Sequence, residues 1–256
     1  MPPPATPTSP ATARAGAGFG SRAAGACAIA GSAALFLGTW LHPMSADPND
    51  ARAAFAEYAA DRLWVASHLT QLAGVALVTA ALVFLARRLE ERVASGWERI
   101  AAAGAIASLA VAGALQAVDG IALKAMVDAW ARAGAGEKDA AFRAAFAVRE
   151  VEVGLASMLG LFLGATATLY GIALLADRTA PRWLGALAIA GGVPTFAGGV
   201  ATAASGFSDT AMALSMPSGL LLMAWMVAVG VALWRDPDRG APPDPAHPAH
   251  PARPAA

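Results

Sequence analysis

Six apolar runs, each long enough to cross a bilayer, follow one another along the chain. A hydrocarbon core about 30 Å thick takes about 20 residues of helix, at a rise of about 1.5 Å each. The runs cover residues 23–41, 64–86, 100–123, 153–176, 183–204 and 217–234. Polar groups set their limits. His42-Pro43 and an acidic loop with Asp47, Asp50, Glu57 and Asp61 follow the first run, Arg87-Arg88 closes the second, and Trp97-Glu98-Arg99 precedes the third. The pattern predicts an all-α fold, a polytopic transmembrane helix bundle of six spans.

The connection between the third and fourth runs, residues 124–152, has helical periodicity. Leu123, Met126, Val127 and Trp130 share one face, while Lys124, Asp128 and Arg132 make a charged ladder on another, with Asp128 four residues before Arg132. Gly134-Ala135-Gly136 breaks this helix, and Asp139 is placed to cap or to pair with Arg143 as helix restarts. The expectation is a helical hairpin outside the bilayer, serving either as a solvated rim or as a lid or docking surface. Residues 1–22 and 236–256, rich in Pro and Ala, are expected to be disordered tails; His247 and His250 in the second are at most a loose metal site. Arg14 and Arg22 before the first run resemble a signal-peptide n-region. The apolar stretch exceeds the usual 7 to 15 residues, however, which favours a retained span.

Composition supports this reading. Of 256 residues, 57% are hydrophobic and 14% charged, with mean hydropathy +0.53; an ordinary soluble domain carries about 25% charged residues. Eighteen basic and eighteen acidic residues cancel, so no nucleic-acid partner is expected, and one cysteine, Cys27, excludes an intramolecular disulfide. The distribution of charge predicts sidedness. With the N-terminus inside, eleven arginines fall on the inner side, among them Arg87, Arg88, Arg92, Arg99, Arg178, Arg182 and Arg235, against seven basic residues outside, five of them in the 124–152 connection. Both termini are therefore expected in the cytoplasm, with the protein multi-pass in the cell membrane. Trp40 and Trp64 would mark the outer headgroup level, and Trp97, Trp183 and Trp234 the inner one.

Small residues at four-residue spacing predict close helix packing, because lipid gives helices no hydrophobic drive to associate. Ala156, Gly160, Gly164 and Thr168 form one stripe, Gly104, Ser108, Ala112, Gln116 and Gly120 a second, and Gly191, Thr195, Gly199 and Ala203 a third. Packing within the bundle is the simpler use of these stripes; a homodimer seam is the other. Laying residues 97–120 over 183–206 gives five matches in 24 positions, a faint trace of a parallel repeat of the kind some transporters use.

The informative residues are polar groups within the runs, where an ionisable side chain costs about 2.5–3.5 kcal/mol at mid-bilayer. Asp119 and Gln116 near the end of the third run stand level with His68 and Gln71 near the start of the second, with Arg149, Glu150 and Glu152 just above, and His42, Ser205, Ser208 and Asp209 at the same level. Trp64, His68 and Gln71 share a helix face. These groups are read either as hydrated interface residues pairing across helices, or as an outward-facing pocket. In the pocket, Asp119 and His68 form a proton-sensitive pair and Gln71 and Gln116 orient a ligand, with Arg149 and Glu150 as further candidates. Glu150 and Glu152 point apart on a helix and are no carboxylate dyad. Tyr170 and Trp225 read as packing residues.

The common hydrolase, kinase and zinc motifs are absent. No catalytic residue, cofactor or metal ligand is assigned; a bis-histidine haem would have to use His42 and His68. Leu41-His42-Pro43, Trp64-Val65-Ala66-Ser67-His68-Leu69, Arg182-Trp183-Leu184-Gly185 and Leu233-Trp234-Arg235 together resemble a broad group of bacterial six-helix membrane proteins of unknown function, over most of residues 23–235. The resemblance implies a cell-membrane location and no activity. The expected function is a non-catalytic membrane protein that binds a small molecule, a lipid or a partner at its outer face. The alternative is a small secondary transporter using the layer around Asp119 and His68.

Overall fold

The computed structural model describes residues 10–93 and 95–235, with side chains from residue 19. Residues 1–9 and 236–256, including His247 and His250, lie outside it. The described chain is helical: α1 (Pro10–Leu41), α2 (Ala51–Ala60), α3 (Trp64–Val93), α4 (Trp97–Gln116), a π-helical turn (Ala117–Leu123), α5 (Lys124–Arg132), α6 (Lys138–Ala176), α7 (Arg182–Ser205) and α8 (Asp209–Arg235). Among the described residues, six helices are long and apolar enough to cross a membrane.

Several boundaries differ from the apolar runs. Hydropathy stops at the first charges, whereas backbone hydrogen bonding continues past them. Thus α3 runs beyond Arg87-Arg88 to Val93, α8 begins at Asp209 and passes through Pro217, and α1 starts at Pro10, ahead of the first apolar run. The acidic loop contains α2, which Asp50 caps by accepting from the amides of Arg52 and Ala53 at 3.1 Å.

The spanning helices form a closed ring in which each packs on the next, in the order α1, α3, α4, α6, α7, α8 and back to α1. At the closure Ser21 Oγ donates to Leu233 O (2.8 Å) and accepts from Arg88 Nη1 (2.9 Å), so the start of α1 and the end of α8 share one end of the bundle. The tightest seam is α6 on α7, where the small-residue stripes meet. A methyl placed on Gly160 would lie 3.0 Å from Gly199 Cα, and one on Gly164 would overlap the backbone at Phe196. On the opposite side of α6, Gly104 of α4 sits against Thr166, and Ser108, buried, returns its hydroxyl to Gly104 O at 2.8 Å. These stripes are used within the chain. Tyr170 is buried, its hydroxyl donating to Leu82 O at 2.8 Å. Outward faces carry Phe36, Ile106, Val193 and Leu220, each more than half exposed, as a lipid-facing surface requires.

At the end of the bundle opposite Ser21 and Leu233 a second, smaller core joins α2, the π turn, α5 and the start of α6 through Phe55, Tyr58, Leu123, Val127, Trp130 and Ala145. Helices α5 and α6 flank residues 133–137, and their charged residues take partners other than the expected ones. Lys124 Nζ bonds Asp128 (2.7 Å) and the carbonyls of Tyr58 and Ala59 (3.0 and 3.2 Å), which ties the C-terminus of α2 to α5. Asp139 pairs with Arg52 of α2 at 3.3 Å rather than with Arg143. Met126, placed by periodicity on the apolar face, is exposed.

Candidate functional site

Beneath this cap lies a cavity of about 370 Å³ whose walls carry His42, Tyr58, His68, Asp119, Arg149 and Glu152. Each side chain is brought there by a local feature of the chain. The π turn carries Asp119, and such widened turns re-aim side chains within a helix. Gly120, next to it, lets α3 approach so closely that an added methyl would lie 2.7 Å from His68 Cβ. Trp64 Nε1 donates to Asp119 O at 3.0 Å and fixes the turn against α3.

His68 is held at both ring nitrogens. Nδ1 lies 2.7 Å from Trp64 O; a carbonyl only accepts, so Nδ1 carries the proton. Nε2 lies 3.0 Å from Asp119 Oδ2, and one further proton shared by that pair makes the bond, whether as imidazolium with carboxylate or imidazole with carboxylic acid. Asp119 Oδ1 is buried without a hydrogen-bond partner among the described residues. His42 sits with its ring centre 5.0 Å from that of His68 and 4.8 Å from that of Trp64, and its Nδ1 meets Pro43 O at 2.8 Å. Burial, then the neighbouring His68, hold its pKa below the ordinary imidazole value, against the pull of Asp119.

Arg149 donates from Nη1 to Tyr58 Oη (3.2 Å) and from Nη2 to Pro48 O (2.8 Å), and its Nη1 stands 3.7 Å from Glu152 Oε2. Burial raises the Tyr58 phenol above its ordinary pKa, although Arg149 works the other way, so it remains a neutral hydroxyl. Glu57 accepts from the amides of Ser45 and Ala46 at 3.0 and 2.9 Å and fixes the loop that lines the cavity. Burial opposes its charge, but those amides outweigh it and hold the carboxyl below its ordinary pKa.

The structure brings some of the residues expected in the polar layer together and leaves others apart. His68 and Asp119 pair, and Gln116 Nε2 donates to Gln71 Oε1 at 3.2 Å. Arg149 is buried in the site, but Glu150 is exposed on another face, and Glu152, three residues from Arg149, takes its place. Ser205 and Ser208 bond one another in exposed positions, and with Asp209 they stay outside the cavity wall. Trp64, expected at the lipid interface, is buried at 1% exposure against Tyr58, His42 and His68, whereas Trp40, Trp97, Trp183 and Trp234 are exposed as interfacial tryptophans are. Tyr58 was missed because α2 lies in a stretch too short and polar to register as a span. Haem does not fit, because the His42 and His68 rings pack directly on each other and leave no slab between them for a macrocycle.

A second cavity of about 380 Å³ lies along the axis of the ring, bounded by Ser32, Leu82, Thr166, Thr195, Leu222 and Trp225. It shares Thr39, Leu115, Ala156, Phe207 and Met212 with the first. The two therefore adjoin, with charged side chains at the capped end and apolar walls toward the middle of the bundle.

No curated protein and no solved structure matches the chain. A family model, described as Domain of unknown function (DUF4386), matches residues 23–230. The match reaches into every spanning helix and covers the whole of the site, and the chain belongs to this DUF4386 family of unknown function.

Proposed function

We propose that this multi-pass membrane protein binds an amphipathic small molecule, with a polar head in the His42, Tyr58, His68, Asp119, Arg149 and Glu152 site and an apolar tail in the axial cavity. The observation that carries this reading is the junction: a cavity lined by charged side chains and a nearly wholly apolar one share wall residues, and each is large enough for part of a ligand. Asp119 Oδ1 and Glu152 Oε2 are buried acceptors without hydrogen-bond donors, and Trp225 Nε1 in the axial wall is a donor without an acceptor. Such groups are costly to bury and are satisfied when a ligand supplies the partner.

The second reading is a secondary transporter using the layer around Asp119 and His68. Its support is the depth of the cavity, but an apolar axial wall suits a hydrocarbon tail better than a polar solute or an ion. Native mass spectrometry of the detergent-purified protein tests the first reading. A bound amphiphile is expected in the wild type and lost in Ala156→Phe, which fills the junction; no bound amphiphile, or equal occupancy in the variant, overturns it. Uptake by proteoliposomes, abolished in Asp119→Asn, would favour transport.

A further inference from the structure

The head of the cavity contains a donor set that a protein seldom buries without use. His42, His68 and Asp119 each offer one ligand atom, and these atoms all lie within 4.8 Å of one another. Ligand atoms around a tetrahedral zinc ion stand about 3.3 Å apart, as follows from metal–ligand distances near 2.0–2.1 Å. The His68 to Asp119 contact, at 3.0 Å, is already close to that spacing. Only His42 has to shift, and it lies between α1 and α2, past the last residue of α1.

The histidines are also held as metal-binding histidines are held. A ligating imidazole donates its other N–H to a backbone carbonyl or carboxylate, which fixes the tautomer and aims the lone pair. Nδ1 of His68 meets Trp64 O at 2.7 Å and Nδ1 of His42 meets Pro43 O at 2.8 Å. Both rings therefore keep Nε2 for a ligand. Asp119 Oδ1 is buried with nothing to accept from. Three carboxyl groups, those of Glu57, Asp119 and Glu152, line the same cavity as one guanidinium, that of Arg149, which is turned to Tyr58, Pro48 and Glu152. The local charge is thus suited to a cation.

We propose that His42, His68 and Asp119 bind a divalent first-row transition metal of the zinc class, held where His68 and Asp119 now share a proton. Two imidazole nitrogens and a carboxylate suit zinc and its neighbours rather than calcium or magnesium, which prefer all-oxygen sites. Three protein ligands leave one position of a tetrahedral ion unfilled. All three ligands line the cavity, so that position opens on it. The site stands on its own geometry and does not require the amphiphile.

The test uses the full chain without an affinity tag, carrying His247→Ala and His250→Ala, stripped with a chelator in detergent and titrated with Zn²⁺ or Co²⁺. One ion per chain is expected, with the intense visible absorption of tetrahedral Co²⁺. His42→Gln is expected to weaken binding by more than about tenfold, since loss even of an outer partner costs 10–100-fold. Absence of stoichiometric binding, or unchanged affinity in His42→Gln, overturns the site. Carbethoxylation of His42, mapped by mass spectrometry in the chain with His42 intact, decides the matter without that variant. Protection by Zn²⁺ supports the site, and equal modification with and without Zn²⁺ overturns it.

Discussion

Gly120 and Glu152 show how single residues determine the site. A side chain at 120 would strike His68 Cβ. Gly120→Ala is therefore expected to separate α3 from the π turn and to break the His68–Asp119 contact, at a cost of about 1–3 kcal/mol, read as a lower melting temperature and a shifted His68 NMR resonance. Glu152 and Glu150 make a controlled pair. Removing the buried Glu152 side chain opens a void beside Arg149, so Glu152→Ala should destabilise by about 1–3 kcal/mol, while Glu150→Ala, on an exposed face, should change stability by less than about 0.5 kcal/mol; detergent-phase thermal unfolding distinguishes them. At the arginine-rich end Asp177 accepts from Thr179 N and Oγ1 (2.9 and 2.8 Å) and from Arg92 Nη1 (3.2 Å). Burial opposes its charge, but these donors prevail and hold its pKa below the ordinary carboxylate value. A depressed carboxyl stabilises the fold above its unfolded pKa, and that stability is lost as pH falls through the folded value. Asp177→Asn should lower stability by about 1–2 kcal/mol at neutral pH and flatten the acid limb of the melting curve.

Helix pairs are fixed by surfaces, and here the surfaces are small. Gly164→Val places two methyls where the α7 backbone passes, so α6 and α7 must separate; loss of the folded peak on size-exclusion chromatography, or a cost of several kcal/mol, is expected, whereas Gly154→Ala, which meets nothing within 4 Å, should be silent. The capping helix α2 depends on Lys124. Lys124→Met keeps the stem but loses the bonds to the Tyr58 and Ala59 carbonyls, and hydrogen exchange across residues 51–60 should quicken while the spanning helices stay protected. The stripes at Gly104, Ser108, Gly160 and Gly164 were legible because four-residue spacing is a local property of a helix. Their partners were not, since Gly160 meets Gly199 only after the chain has turned. Likewise Asp128 lay within reach of both Lys124 and Arg132, and the choice of Lys124 followed from the docking of α2, a tertiary event.

For the whole molecule, sidedness is the outstanding expectation. If the arginine-rich end faces the cytoplasm, a membrane-impermeant maleimide on intact cells should label Ser205→Cys but not Arg178→Cys, each built on Cys27→Ser; the reverse pattern would invert the topology. The six spans and the shared end of α1 and α8 follow from apolar length and an even number of crossings, so the sequence determined them without help: the bilayer demands about 20 apolar residues per crossing wherever they occur. The level of the polar groups was countable too, because each residue of helix advances a fixed distance. What the tertiary structure alone decided is which of those groups meet. The closing of the ring leaves an axial cavity that no single helix encodes, the π turn rotates Asp119 onto His68, and Arg149 lies in the site with Glu152 while Glu150 faces away. Charge and hydropathy are properties of positions along the chain, whereas a site is a set of distances between distant positions, and packing fixes those.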